Sequence, residues 1–416
     1  ELENAIYDAE GKLVKKHVRS LELTPVGKFG GALKDLEATD LGGIVIKEAV
    51  KRSGLKPEDI EEVVYGCVGQ AAENAFAARL ASVKAGIPYE ATALTVNRLC
   101  SSGLQAIVTA AQEIESGMCE IAVAGGCESM TNIPFYLRKA RYGYRMGHGE
   151  LEDGLITALS DPFTRSHMGI TAENVANQYN VTRQEQDRWA AISQQRASKA
   201  QEEGKFDSEI VPIEVKVSKK ETMIFDKDEH VRPGTTAESL AKLRPAFKDD
   251  GSVTAGNAAG INDAAAAVVL MKESKANALG LKPLVRLVDV AAAGVDPSIM
   301  GIGPVPAFRK LLKKTGIRKE EIGLIELNEA FAAQAVACMK ELELDENIVN
   351  VNGSGISLGH PIGATGCIIT IKLINEMIRR KVRYGVSTLC IGGGQGLAVL
   401  FELCSSVQGN KQIKVC

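Results

Sequence analysis

The chain reads as an α/β protein built of two similar layered halves with a covering insertion between them. Three observations predict this. Short apolar runs alternate with amphipathic stretches in both the first and last thirds, the pattern of a layered fold. Local echoes link those thirds. Residues from about 130 to 255 are more polar and different in kind, and an insertion of that length on a layered fold often covers a site. The 416 residues suggest two or three units at roughly 150 residues each.

In the first third, Thr39 and Asp40 offer N-caps to a helix ending near Gly54, with Leu41, Ile44 and Val45 on one face. A strand follows at 63–68, a helical stretch at 74–86 and a strand at 93–96. Residues 101–117 read as a helix with Leu104, Ile107, Val108, Ala111 and Ile114 inward, and 121–124 as the next strand. The insertion carries one clear helix, opened by a Thr182/Glu185 capping box and stopped at Gly204. The last third repeats the grammar: strand 322–327, helix 330–342, strand 348–351, a Gly-rich turn, helix 365–379 and strand 386–391. Thr95-Val96-Asn97 is echoed by Asn350-Val351-Asn352, and 121–126, a strand running into glycines, by 386–394. A period this long implies a duplication and not a solenoid.

Composition excludes several classes. Hydrophobic residues at 45% with 24% charged exclude disorder for most of the chain. Forty-nine Lys and Arg against fifty-two Asp and Glu leave a charge of −3, without the basic excess of a nucleic-acid or membrane-surface binder. The longest apolar run, 264–271, is far shorter than the roughly 18 residues of a membrane helix. Nothing from Glu1 onward reads as a secretion signal, so a cytoplasmic location is expected. The nine cysteines (67, 100, 119, 127, 338, 367, 390, 404 and 416) show no CxxC pair and the five histidines are scattered, so no metal site is expected and most thiols read as buried apolar groups in a reducing compartment.

Four segments could carry chemistry. Cys100, in Asn97-Arg98-Leu99-Cys100-Ser101-Ser102-Gly103, sits where a strand turns into a helix; a helix start favours an anion, so its thiol pKa is expected to be lowered. His360 lies in Gly355-Ile356-Ser357-Leu358-Gly359-His360-Pro361-Ile362-Gly363-Ala364-Thr365-Gly366, a tight loop that could hold an imidazole at a helix start to accept a thiol proton; the Lys-Ser/Thr of a phosphate-binding loop is absent. In Cys390-Ile391-Gly392-Gly393-Gly394-Gln395-Gly396 the apolar residues that follow make a hairpin, not a dinucleotide loop. Its turn could aim N–H groups at an oxyanion, with Cys390 as a second placed thiol. Asn328-Glu329-Ala330-Phe331 ends a predicted strand, where open α/β sheets put ligand groups.

Together and in this order, N-R-L-C-S-S-G-L, N-E-A-F-A, G-H-P-I-G-A-T-G and C-I-G-G-G-Q-G strongly resemble the thiolase family, as do T-P-V-G-K-F-G-G at 24–31 and A-G-N-A-A-G-I-N-D at 255–263. The likeness runs from about Thr24 to Glu402. It implies the thiolase-like fold of α/β/α/β/α layers, divided as 1–130 plus 256–281, a loop domain 131–255 over the site, and 282–416. It implies acetyl-CoA C-acetyltransferase chemistry, with acetyl-CoA, acetoacetyl-CoA and CoA as partners, no further cofactor, and a homotetramer. Cys100 would carry the acyl group, His360 would activate its thiol, and Cys390 would act as acid and base at the α-carbon of the second acyl-CoA. Asn328, through water, and His360 would stabilise the enolate. The N–H groups of Cys100 and Gly392 would stabilise the tetrahedral intermediate, one such donor being worth on the order of 3 kcal/mol.

The resemblance also implies chain-length control by His167 and Met168, which crowd the acyl pocket of short-chain members, and CoA or acyl contacts at Leu155, Arg232, Phe247, Ala255, Ala330 and Phe331. Ala259 stands where many members have a serine that bonds the pantetheine. Three stretches depart from the family pattern: 155–166 is longer, Lys15–Leu23 is polar where an apolar strand is usual, and the tail 404–416 is unlike the usual short ending. The alternatives are a broader-chain 3-ketoacyl-CoA thiolase, a decarboxylating synthase, which normally pairs its cysteine with two histidines, and a binder of CoA or lipid with an inactive site.

Overall fold

The computed structural model of the chain describes residues 15–408. In chain order its principal elements are β1 (Lys16–Leu23), α1 (Ala38–Ser53), β2 (Glu62–Gly66), α2 (Ala77–Lys84), β3 (Thr92–Val96), α3 (Ser102–Ser116), β4 (Ile121–Ser129), α4 (Met168–Gln178), α5 (Arg183–Glu202), β5 (Asn262–Lys272), β6 (Val285–Gly294), α6 (Pro304–Thr315), β7 (Ile322–Leu327), α7 (Ala332–Leu342), α8 (Gly355–Leu358), α9 (Thr365–Arg380), β8 (Tyr384–Ile391) and β9 (Gln395–Leu403). The tail residues 409–416, with Cys416, and residues 1–14 lie outside the described residues.

The strands run in the order β7-β8-β9-β6-β1-β5-β4-β2-β3. Outward from the β1–β6 junction, the first half places β1, β5, β4, β2 and β3. The second places β6, β9, β8 and β7, and then Val349, bridged in parallel to Ile325. The strand senses match as well: the two inner pairings of each half are antiparallel and the outer ones parallel. The duplication read from the Thr95 and Asn350 echoes is therefore present in the pairing itself.

Three cores separate the layers. Along β5, Ala264, Ala266, Val268 and Leu270 face a central core with Leu104 and Ile107 of α3 and Ile368 and Ile371 of α9. The alternate residues Ala265, Ala267, Val269 and Met271 face an outer core with Leu41 and Val45 of α1. A third core joins α6 and α7 to the opposite face of the second half, through Phe308, Leu311, Ala335, Val386 and Leu400. α9 is buried on nearly every side, as a helix between two sheets must be. Among the described residues, no helix is long and apolar enough to cross a membrane.

Lys15–Leu23, polar in sequence, is a central strand. Its register against β5 shifts between Val18 and Ser20, so Arg19 is the extra residue of a bulge. The bulge brings Val18, Leu21 and Leu23 onto the central-core face, opposite Leu270, Val268 and Ala266. His17, Ser20 and Glu22 are left buried opposite Met271, Val269 and Ala267. Burial lowers the His17 pKa to about 4 and pushes Glu22 up to about 7. Between its ordinary value and about 7, the folded state keeps a proton on Glu22 that the unfolded chain has released. Stability therefore falls as pH rises through that window. Glu22→Gln is expected to match the parent at pH 5 and exceed it at pH 8 by roughly 1–3 kcal/mol; thermal melts at both pH values check this, and an equal gap at both would refute it.

Several local expectations are corrected. Thr39 and Asp40 do not cap α1: Glu37 is the N-cap, and Asp40 returns a carboxylate to the Glu37 N–H from within the first turn. The expected strand at 348–351 is a short 3₁₀ turn (Glu346–Ile348) followed by single bridges. The stretch 74–86 opens as 3₁₀ at Ala72–Phe76 before α2 begins. The insertion holds α4 as well as the expected α5, which keeps its Thr182/Glu185 box. α4 was hidden because His167, not Ser, Thr, Asp or Asn, caps it, accepting the Gly169 N–H on Nδ1 at 3.1 Å.

Candidate active site

Cys100 stands on the turn from β3 into α3. Leu99 before it has φ 46°, a left-handed conformation costly for leucine and held by neighbours. Its N–H donates to Asn97 Oδ1 at 3.0 Å, and its carbonyl accepts from Ser102 Oγ at 2.7 Å. The same Ser102 oxygen accepts the Arg98 N–H at 2.9 Å. The kink presents the thiol to a cavity of about 660 Å³.

His360 enters the same cavity. It lies in the loop between α8 and α9, its ring against Thr365, the first residue of α9, at the helix start where the sequence put it. Its N–H donates to Asn262 Oδ1 at 3.0 Å, and its Nδ1 lies 2.7 Å from Thr365 Oγ1. The Thr365 hydroxyl proton is already given to Pro361 O at 2.8 Å, so its oxygen accepts from Nδ1–H. That assigns the neutral tautomer and leaves a lone pair on Nε2. Nε2 faces Asn328 Nδ2 at 3.4 Å. The buried Asn328 Oδ1 has no hydrogen-bond partner among the described residues, so a polar acceptor stands ready beside the imidazole.

Cys390 ends β8, buried behind Cys100. Burial, with Cys100 and Cys338 close by, holds its thiol well above the ordinary range. Gly392, in the β8–β9 hairpin, directs its N–H at Cys100. The expected lowering of the Cys100 pKa is not found. Burial pushes it up to about 11, against the Gly392 and Cys100 N–H groups, while burial lowers His360 to about 4. The resting pair is thus neutral thiol and neutral imidazole, because desolvation outweighs the helix-start field. The lone pair on Nε2 can accept the thiol proton; once protonated, Nε2–H becomes a donor beside Asn328 Nδ2.

His167, Met168, Arg232, Phe247, Ala255, Ala330 and Phe331 all line the cavity, as does Ala259. The His167 ring stacks on Phe247 at 4.8 Å, and Phe247 meets Phe331 edge-on at 6.2 Å. Arg232 lies on this wall, its N–H held by Gln194 Oε1 at 2.8 Å. Leu155 does not reach the cavity; it packs with Met130, Ile133 and Ile362, two of which form the wall. Sequence reasoning missed Thr365 and Asn262, which set the imidazole. Both lie inside quoted motifs, yet only the fold shows that they meet His360. Met130 and Met300 were missed too, as isolated methionines with no pattern. Among the described residues, no three His, Cys, Asp or Glu side chains are grouped to hold a metal.

The Thiolase, N-terminal domain model matches residues 18–274 and the Thiolase, C-terminal domain model residues 281–403. The chain belongs to the thiolase family. This thiolase is 51% identical over 384 residues to an acetyl-CoA acetyltransferase of Syntrophomonas wolfei, covering 91% of this chain and 96% of that one. It is 52% identical to a beta-ketothiolase of Cupriavidus necator at the same coverage. Its fold matches the crystal structure of the Bacillus anthracis acetyl-CoA acetyltransferase with a TM-score of 0.93 at 48% identity, over 96% of this chain and 100% of that chain. The thiolase is an acyltransferase, and the two matched domains meet at the site: Cys100 comes from the first, and His360, Asn328, Cys390 and Gly392 come from the second.

Proposed function

We propose that this thiolase is an acetyl-CoA C-acetyltransferase, joining two acetyl-CoA to acetoacetyl-CoA and CoA, and the reverse, through an acetyl-Cys100 intermediate. The observation that carries the reading is one cavity holding the Cys100 thiol, the Nε2 lone pair of His360 and the His167–Phe247 stack. In the first half-reaction His360 takes the Cys100 proton, the thiolate attacks the acetyl-CoA carbonyl, and CoA leaves as a thiol with the proton given up by Cys390, which becomes a thiolate. In the second, the Cys390 thiolate removes a proton from the methyl group of another acetyl-CoA. The enolate attacks the acetyl-cysteine and expels the Cys100 thiolate, which takes back the proton held on His360, while Cys390 keeps the methyl proton and is a thiol again. His360 and Asn328 stabilise the enolate oxygen, and the Cys100 and Gly392 N–H groups the tetrahedral oxyanion.

Arg232, together with Ala255, Ala330 and Phe331, contacts the CoA and acyl chain, and Leu155 supports that wall. CoA thioesters are the substrates and no additional cofactor takes part. The protein acts in fatty acid metabolism as a cytoplasmic homotetramer. Mass spectrometry after mixing with acetyl-CoA tests the chemistry: an acetyl group on Cys100 is expected, and none on the folded protein would favour a non-catalytic binder of CoA. Substrate length is tested by thiolysis. The stacked rings close the pocket, so turnover of C4 ketoacyl-CoA is expected to exceed that of C8 by roughly tenfold or more, as pocket discrimination of a few methylenes allows; faster C8 turnover would favour the broader-chain reading that the beta-ketothiolase relative raises.

A further inference from the structure

Glu128 is a buried carboxylate that the proposed chemistry does not use. It lies near the carboxyl end of β4, and its two oxygens gather donors from both halves of the molecule. Oε1 accepts the Gly69 N–H at 3.0 Å and faces the Cys67 thiol at 3.9 Å. Oε2 accepts the Val68 N–H at 3.0 Å from the first half and the Gly363 N–H at 2.8 Å from the second. Gly363 is three residues beyond His360. Its backbone is so closely enclosed that a Cβ there would lie 2.6 Å from Glu128 Oε2 and 2.8 Å from Cys127 O. A single oxygen thus bonds the loop after β2 to the loop that carries the imidazole. Cys100 packs against the small cluster beside that junction, with Val68 and Ile362.

We propose that Glu128 is a positioning residue that clamps the His360 loop onto the Cys100 half and, through its charge, helps to keep Cys100 a thiol until substrate arrives. Burial pushes Glu128 up to about 7, opposed by its three N–H donors. The other titratable groups facing it are Asp263, which raises it further, and Cys67; its own charge acts on Cys100 in the raising direction. A thiol of high pKa gives a more nucleophilic thiolate once His360 removes its proton, and it resists alkylation and oxidation in the meantime.

This rests on the reading of Cys100 and His360 as the reacting pair, so acetylation of wild-type Cys100 is established first; its failure overturns that reading and leaves the clamp unneeded. The test then follows the pH dependence of Cys100 alkylation by iodoacetamide, together with kcat and KM. In the wild type, ionisation of Glu128 is expected to flatten the rise of log rate with pH between about 6 and 8. Glu128→Gln removes the charge and offers one carbonyl oxygen to three N–H donors. It is expected to alkylate faster at pH 8 while kcat falls about a hundredfold, the scale of a small misplacement, and KM changes less than threefold. Glu128→Asp keeps the charge but falls short of the Gly363 N–H. It should lose kcat and retain the slow alkylation. An unbroken wild-type slope overturns the proposal whether or not the variants fold, and so do folded variants with wild-type kcat and alkylation.

Discussion

Cys100→Ser is expected to lower turnover by at least about 10³-fold, roughly 4 kcal/mol of barrier, with no acetyl group recovered on residue 100. A serine hydroxyl fills the space, but neutral His360, lowered to about 4 by burial, is too weak a base for an alcohol and only adequate for a thiol. Cys390→Ala should fail differently. Loss of general acid–base catalysis costs about 10²–10⁴ in rate, yet acetyl-CoA should still label Cys100, because the first thiol retains His360 and its N–H donors. The two variants therefore divide the reaction: one blocks acylation, the other stops after it. Equal loss of labelling in both would refute the separate roles, and full turnover in Cys100→Ser would remove the covalent intermediate altogether.

Lys372→Met is expected to cost 3–5 kcal/mol of stability, a large share of what any domain has. Lys372 on α9 donates to Glu209 Oε1 at 2.6 Å, and both side chains are 2% exposed. Asn375 Nδ2 donates to the other Glu209 oxygen at 2.6 Å, and the ammonium lies 3.5 Å from the centre of the Phe206 ring. Methionine would fill the volume and leave Glu209 buried and unpaired, with Asp228 close by as a second acid that the lysine now offsets. The double variant Lys372→Met with Glu209→Leu should recover most of the loss, since apolar replacement of a whole buried pair is often neutral. Denaturant unfolding of the three proteins forms the cycle; additive losses would show that the pair is not coupled.

The layered architecture was legible because α3, β7 and α9 have strong periodicity and clear ends; β7 lies where the alternation put it. β1 was not legible. Its bulge at Arg19 breaks the period of two, so K-H-V-R-S-L-E-L looks polar until the extra residue is removed from the count. β4 runs on through Gly125 and Gly126 because their neighbours leave no room for side chains: a Cβ on Gly125 would fall on the Ala266 carbonyl of β5, and one on Gly126 on the Gly363 carbonyl of the His360 loop. At the site, Cys100 and His360, drawn from separate motifs, line one cavity, and Asn328 lies beside the imidazole. The charge state of Cys100 was misread, since the turn into a helix is visible in sequence and the desolvation around it is not. Glu128 carries no local signal; only the pairing of β4 with β2 sets its carboxylate between two distant loops.

β5 sits between β1 and β4 in the sheet, yet its first residue, Asn262, whose N–H meets the Met130 sulfur just past the end of β4, lies 132 residues further along the chain. During synthesis the first half must therefore wait, its sheet open at the middle, until the whole covering segment has been made. Cys100 passes that interval without the hairpin of Gly392 or the imidazole of His360, both supplied more than 250 residues later. Long-range closure of this kind is slow, and a nascent chain halted before residue 262 would hold an unfinished sheet edge and an unguarded thiol. Ribosome-bound truncations ending on either side of β5 should differ sharply in protease resistance, which makes vectorial assembly of this enzyme a measurable property of its strand order.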